Sequence, residues 1–124
     1  MSTEEIADTL SLTATLMELH HENPFKAKAV ASAAFRLGKT NMDLSGKNLE
    51  QLEQIDGIGK GIAQKIHELQ TTGELQELKK LLSVTPEGVV AIMSIKGIGP
   101  KKASVIWKDL GIESAAELLY ACNE

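Results

Sequence analysis

The 124-residue chain is poor in aromatic residues, with Trp107, Tyr120, Phe25 and Phe35 making up 3% of it. Any core it builds must therefore be aliphatic, from Leu, Ile, Ala and Val. It has one cysteine, Cys122, so no internal disulfide can form, and a reducing compartment is expected. No apolar run approaches the ~20 residues of a membrane span. Met1-Ser2-Thr3-Glu4-Glu5 lacks the basic opening of a signal peptide. The expectation is a cytoplasmic protein without a membrane partner. Strand-like alternation is absent, and so are Ser-His-Asp and P-loop patterns, which removes the common hydrolase and nucleotide-binding signatures.

Net basicity is lacking too: the formal charge is −4, which argues against a general polyanion binder. The charges are unevenly spread, however. All 13 Lys and Arg fall within residues 26–108, and acidic stretches without bases flank them. A basic middle between acidic ends fits modest, salt-sensitive phosphate contact rather than tight wrapping.

That basic middle contains a repeat. Ile55-Asp56-Gly57-Ile58-Gly59-Lys60-Gly61-Ile62-Ala63-Gln64-Lys65-Ile66 returns 40 positions later as Ile95-Lys96-Gly97-Ile98-Gly99-Pro100-Lys101-Lys102-Ala103-Ser104-Val105-Ile106. Leu52 and Ile55, then Ile92 and Ile95, precede the turns. Ala63 with Ile66, then Ala103 with Ile106, follow at helical spacing. The apolar residues clamp two helices, and the alanines allow close approach. Glycines permit positive φ and leave no side chain in the way. Amide groups at the start of the second helix lack intrahelical partners and lie at its positive dipole end, where a phosphate oxygen fits. Lys60, Lys101 and Lys102 add charge there.

Around the repeat the pattern predicts an all-α fold of seven to eight short helices. Ser2 with Glu5 forms a capping box for the first, which ends near His20-His21-Glu22. Asn23 caps a second that starts at Pro24, carries Ala27, Val30, Ala31, Ala34 and Phe35 on a small-residue face, and ends at Gly38. Residues 39–46 form a polar loop. Helices are then expected over about 47–54, 60–72, 74–83 (with Leu75, Leu78, Leu81 and Leu82 inward), 86–95 and 100–110. Ser114 with Glu117 caps a last one, to about Cys122. Two units are expected: residues 1–82 with the first turn, and 83–124 with the second packed on it.

The two turns resemble the helix-hairpin-helix family. Asn23-Pro24-Phe25-Lys26-Ala27-Lys28-Ala29-Val30-Ala31-Ser32-Ala33-Ala34, the turns, and Leu110-Gly111-Ile112-Glu113-Ser114 together resemble the N-terminal region of family X DNA polymerases. The resemblance implies backbone contact with DNA at gaps, nicks or single-stranded ends. Gly57, Gly59 and Gly61 would hold phosphate in the first hairpin, and Gly97, Gly99, Lys101 and Lys102 in the second. It further implies a K⁺ or Na⁺ at each hairpin, on the carbonyls of Glu53, Ile55 and Ile58 and of Met93, Ile95 and Ile98. Lys65 falls on the family's Schiff-base lysine, which would make the chain a 5′-deoxyribose phosphate lyase. Lys26 falls on a phosphate-pocket lysine and Phe25 on a base-stacking position. Val30, Gly61 and Glu77 depart from that pocket, where a tyrosine, a lysine and a basic residue are usual. The polymerase carboxylates belong to a domain outside these residues.

Three readings follow: a sequence-independent DNA-binding module, a lyase acting through Lys65, and a protein-interaction scaffold that has lost DNA affinity. His20-His21 with Glu22 is a weak metal candidate, since adjacent histidines face different ways on a helix. His67 reads as a solvated or capping residue, and Trp107 as a packing anchor.

Overall fold

The computed structural model describes residues 2–39, 43–93, 95 and 97–114. The fold is all-α, with no strand among the described residues. Among the described residues seven α-helices run in order: α1 (Thr3–Leu19), α2 (Pro24–Lys39), α3 (Leu49–Glu53), α4 (Lys60–Thr72), α5 (Gln76–Ser83), α6 (Glu87–Met93) and α7 (Pro100–Ser104). A π-helical turn, Val105–Asp109, continues α7. The expected last helix and Cys122 lie outside the described residues.

Local chemistry sets the helix starts. The Glu5 amide donates to Ser2 Oγ at 3.1 Å, and the Ser2 amide donates to the Glu5 carboxylate at 3.2 Å, closing the expected capping box. Asn23 Oδ1 accepts from the amides of Phe25 and Lys26 at 3.0 and 3.4 Å. Asn48 and Gln51 make a second box ahead of α3. Gly73, at φ +76°, closes α4 in the left-handed region.

α1 is the strut of the molecule, packing along α2 and touching α5 and α7. Its inward residues Ile6, Leu10, Leu16, Met17 and Leu19 are almost wholly buried. Thr13 is buried among them, and its hydroxyl donates back to Thr9 O at 2.8 Å, so no polar atom is orphaned.

Several expectations need correction. α2 buries Ala27, Val30, Ala33, Ala34 and Leu37, while Ala31 and Phe35 face solvent. The apolar stripe is rotated by about one residue from the expected face. Gly38 lies within α2, which ends at Lys39. In α5, Leu82 is exposed while Leu81 is buried. The loop after α2 is not wholly polar: Leu44 is buried, and the Gln70 amide nitrogen donates to its carbonyl at 2.6 Å.

One close approach went unforeseen. At Gly88 in α6, an added Cβ would lie 1.8 Å from the backbone oxygen of Glu113. Only glycine lets α6 seat against the strand of chain that leaves the π-turn.

Candidate nucleic-acid interface

The two repeats fold alike. Ile55 N–H donates to Leu52 O at 3.1 Å, as Ile95 does to Ile92 O at 3.1 Å. Ile58 N–H donates to Ile55 O at 3.0 Å, as Ile98 does to Ile95 O at 3.0 Å. Ala63 N–H donates to Gly59 O at 2.9 Å, as Ala103 does to Gly99 O at 2.9 Å. Gly57 and Gly97 take φ of +86° and +89°. This left-handed geometry, costly for any residue with a Cβ, turns the chain between the helices.

The other glycines are under no such demand. Gly59 and Gly99 have φ of −87° and −105° and stand at the helix N-caps. A Cβ added at Gly59, Gly61 or Gly99 would meet nothing within 4 Å. No side chain caps α4 or α7. Each turn therefore offers bare backbone outward, and Lys60, Lys101 and Lys102 stand exposed beside it.

Each turn also has a cation close to its left-handed glycine. The Arg36 side chain crosses Gly57, with its Cδ 2.6 Å from where a Cβ would be, and its guanidinium pairs with Asp56 at 3.2 Å. The Lys102 ammonium donates to Gly97 O at 3.3 Å. Arg36 escaped the sequence reading because it comes from α2, distant in sequence, and has no local signature.

Lys65 and Lys26, on α4 and α2, are brought together by Glu77 of α5. Lys65 Nζ donates to Glu77 Oε2, and Lys26 Nζ lies 3.4 Å from Glu77 Oε1. The Lys65 side chain is 13% exposed and that of Glu77 24%. Burial pushes the Glu77 carboxyl up, but the hydrogen bond and charge of Lys65, joined by Lys26, outweigh it and hold the group below its ordinary 4.5. Phe25, beside Lys26, is 85% exposed. Val30 is buried in the core.

A family model described as a helix-hairpin-helix domain matches residues 1–75. The chain belongs to the helix-hairpin-helix family. A second model, a SAM-like helix-hairpin-helix tandem, matches residues 89–124, so each turn falls within a match. Over all 124 residues the chain is 34% identical to the DNA polymerase/3′-5′ exonuclease PolX of Bacillus subtilis. That protein is a family X polymerase, and the match is to its N-terminal part. The chain spans about a fifth of its length.

In this helix-hairpin-helix chain the six carbonyls expected to hold a monovalent cation fall in and before the two turns. Those of Ile55 and Ile95 already accept the turn bond, and a carbonyl has a second lone pair for a cation. Neutral oxygens of this kind suit K⁺ or Na⁺. Among the described residues no three His, Cys, Asp or Glu gather to hold a metal ion, and no helix is long and apolar enough to cross a membrane.

His20 and His21, at the end of α1, reach residues distant in sequence. His20 Nε2 lies 2.6 Å from Thr85 Oγ1, and that hydroxyl donates to Leu81 O at 2.6 Å. Its proton thus spent, Thr85 accepts, and Nε2 of His20 carries the hydrogen. Trp107 stands edge-on to His20, with ring centroids 5.6 Å apart. His21, in the left-handed region at φ +56°, reaches Ser104 Oγ at 2.9 Å. His67 is half-buried on a cleft with Lys47 and Asn48.

Proposed function

We propose that this chain binds DNA through its phosphate backbone, without sequence preference, at gaps, nicks or single-stranded ends. Helix-hairpin-helix membership and kinship with a DNA polymerase support DNA binding in a polymerase-related setting. The observation that carries the proposal is the open glycine. Gly59, Gly61 and Gly99 serve no internal packing and need no unusual φ, so their bareness is explained by something that approaches from outside. Phosphate oxygens suit uncapped helix starts. Backbone amides read phosphate and carry no base code. A K⁺ or Na⁺ on the turn carbonyls would supply charge that a chain of net −4 otherwise lacks.

The test is a salt titration of affinity for a gapped duplex. Two to four phosphate contacts give log K against log salt a slope of roughly −2 to −4. Replacing Lys101 and Lys102 together by Ala reduces the slope by about 2, and Lys60→Ala by about 1. No affinity at low salt, from a folded chain, overturns the proposal and favours the protein scaffold.

The lyase reading draws less support. A Schiff-base nucleophile needs an amine with a free lone pair, and Lys65 is engaged as donor to a partly buried carboxylate. Borohydride trapping on an incised abasic duplex is its test; a covalent adduct lost in Lys65→Ala would restore it.

A further inference from the structure

The first hairpin has an open face that the second does not. Lys60, Gln64, His67 and Thr71 recur at helical spacing and share one side of α4. Forty positions on, the counterparts of Gln64 and His67 are Ser104 and Trp107, and these meet His21 and His20 at the end of α1. Gln64 is exposed and His67 half-buried. Beside His67 lies a cleft of about 430 Å³.

The cleft is built of hydrogen-bond donors. Polar side chains and Gly46 line it, without a carboxylate. Asn48 Oδ1 accepts from the Gln51 amide at 2.9 Å, which leaves the Asn48 NH₂ group to donate elsewhere. The Gln70 nitrogen gives one hydrogen to Leu44 O at 2.6 Å and keeps the other. Among the described residues the Gly46 amide has no acceptor and Lys47 makes no ion pair. His67 supplies a ring N–H in either tautomer. Acids close by in sequence are engaged: Asp43 accepts from the Ser45 amide at 2.9 Å, and Glu68 from the Gln76 amide at 2.7 Å. Donors around a single ammonium suit a singly charged phosphodiester. The cleft is also joined to the turn. Lys47 borders a second cleft, of about 440 Å³, that reaches Arg36, Ile55 and Ile58; its one carboxylate, Asp56, pairs with Arg36. From Lys60 to His67 the helix rises about 10 Å, roughly three steps of one DNA strand at about 3.4 Å each.

We infer that the cleft of Gly46, Lys47, Asn48 and His67 is a further phosphate site: it holds a phosphodiester about three nucleotides along the strand gripped by the first turn. This rests on the DNA-binding reading above and adds to it residues outside both turns. The first hairpin thus tracks a length of strand, whereas the second, its matching face taken by the histidines, grips at one point.

The experiment titrates wild type, Lys47→Gln, Asn48→Asp and a charge control, Lys39→Gln, with single strands shortened stepwise from about ten nucleotides to about two. Folding is checked by circular dichroism. Lys47→Gln should weaken long-strand binding about fivefold and flatten the salt slope by about 0.7. Asn48→Asp keeps the helix cap, because Asp caps as well as Asn, but sets a negative charge where a donor stood; it should cost at least as much. Both losses should vanish on strands shorter than about four nucleotides, which cannot span turn and cleft. Lys39→Gln removes the same charge from the end of α2 and should leave affinity within about twofold. No loss in folded Lys47→Gln and Asn48→Asp, a loss at every strand length, or an equal loss in Lys39→Gln overturns the inference. Inorganic phosphate is titrated alongside by NMR. Saturable shifts at Gly46 and His67 with DNA affinity unchanged in Lys47→Gln mean that the site takes free phosphate, and the strand assignment falls. If wild type binds no DNA at low salt, the DNA-binding reading itself fails and this inference with it, an outcome distinct from the others.

Discussion

The two hairpins share one backbone and differ in what surrounds it. Their paired hydrogen bonds agree to within 0.1 Å, and their left-handed glycines to within a few degrees. The first leads into a 13-residue helix and takes its cation, Arg36, from α2. The second leads into five α-helical residues and a π-turn and takes its cation, Lys102, from its own helix. The turn is thus a self-contained piece of geometry, set by Gly-Ile-Gly and its apolar flanks. The charge around it is supplied by whatever the fold brings near: tertiary packing in the first hairpin, sequence neighbours in the second.

This comparison can be broken most forcibly at Gly88. The second hairpin follows directly from α6, and Gly88→Ala drives a Cβ into the backbone of Glu113. Backbone cannot step aside as a side chain can, so a loss of about 1–3 kcal/mol is expected. Urea unfolding measures it. Hydrogen exchange should show the loosening at Ile98 and Ala103 before Ile58 and Ala63; uniform loosening would mean the hairpins are not independent.

A smaller effect tests the sameness of the turns. Gly57→Ala and Gly97→Ala each force a Cβ into the left-handed region, at about 1–2 kcal/mol. The two costs should agree closely, because the Cβ at Gly57 meets only the flexible end of Arg36 and the exposed Arg36–Asp56 pair contributes little. A much larger cost at Gly57 would show that Arg36 is a structural brace rather than a movable cation.

What was legible in the sequence was local. Capping boxes, the repeat, Asn23-Pro24 and the turn glycines all act over a few residues, and the helices follow them. The stripe on α2 was misphased because alanine occupies both faces: Ala31 is exposed and Ala33 buried, with no chemical difference to read. Arg36 over Gly57, Glu77 between two lysines, and Gly88 under Glu113 join positions distant in sequence, and no periodicity announces them. Glu77 was visible as a departure from the family pattern, but its role needed the geometry that sets it against both Lys26 and Lys65. His20 and His21 offer only a weak metal pattern in the sequence, and their actual partners, Thr85 and Ser104, are distant along the chain.

His20 makes the contact between the end of α1 and Thr85, ahead of α6, sensitive to acid. Burial, and after it the charge of Lys108, hold His20 below its ordinary 6.5; Glu22 pulls the other way, and His21 adds to the lowering. A ring that resists protonation when folded but accepts it when unfolded binds fewer protons in the native state. Its contribution to stability is whole above pH 6.5 and drains away as pH falls toward its lower folded value. Glu77 adds a second loss further down, because its own contribution is complete above 4.5 and disappears below. The urea midpoint should therefore fall in two stages on acidification. The first stage is removed by His20→Gln and the second by Glu77→Gln, so acid weakens the His20 contact before it weakens the lysine cluster.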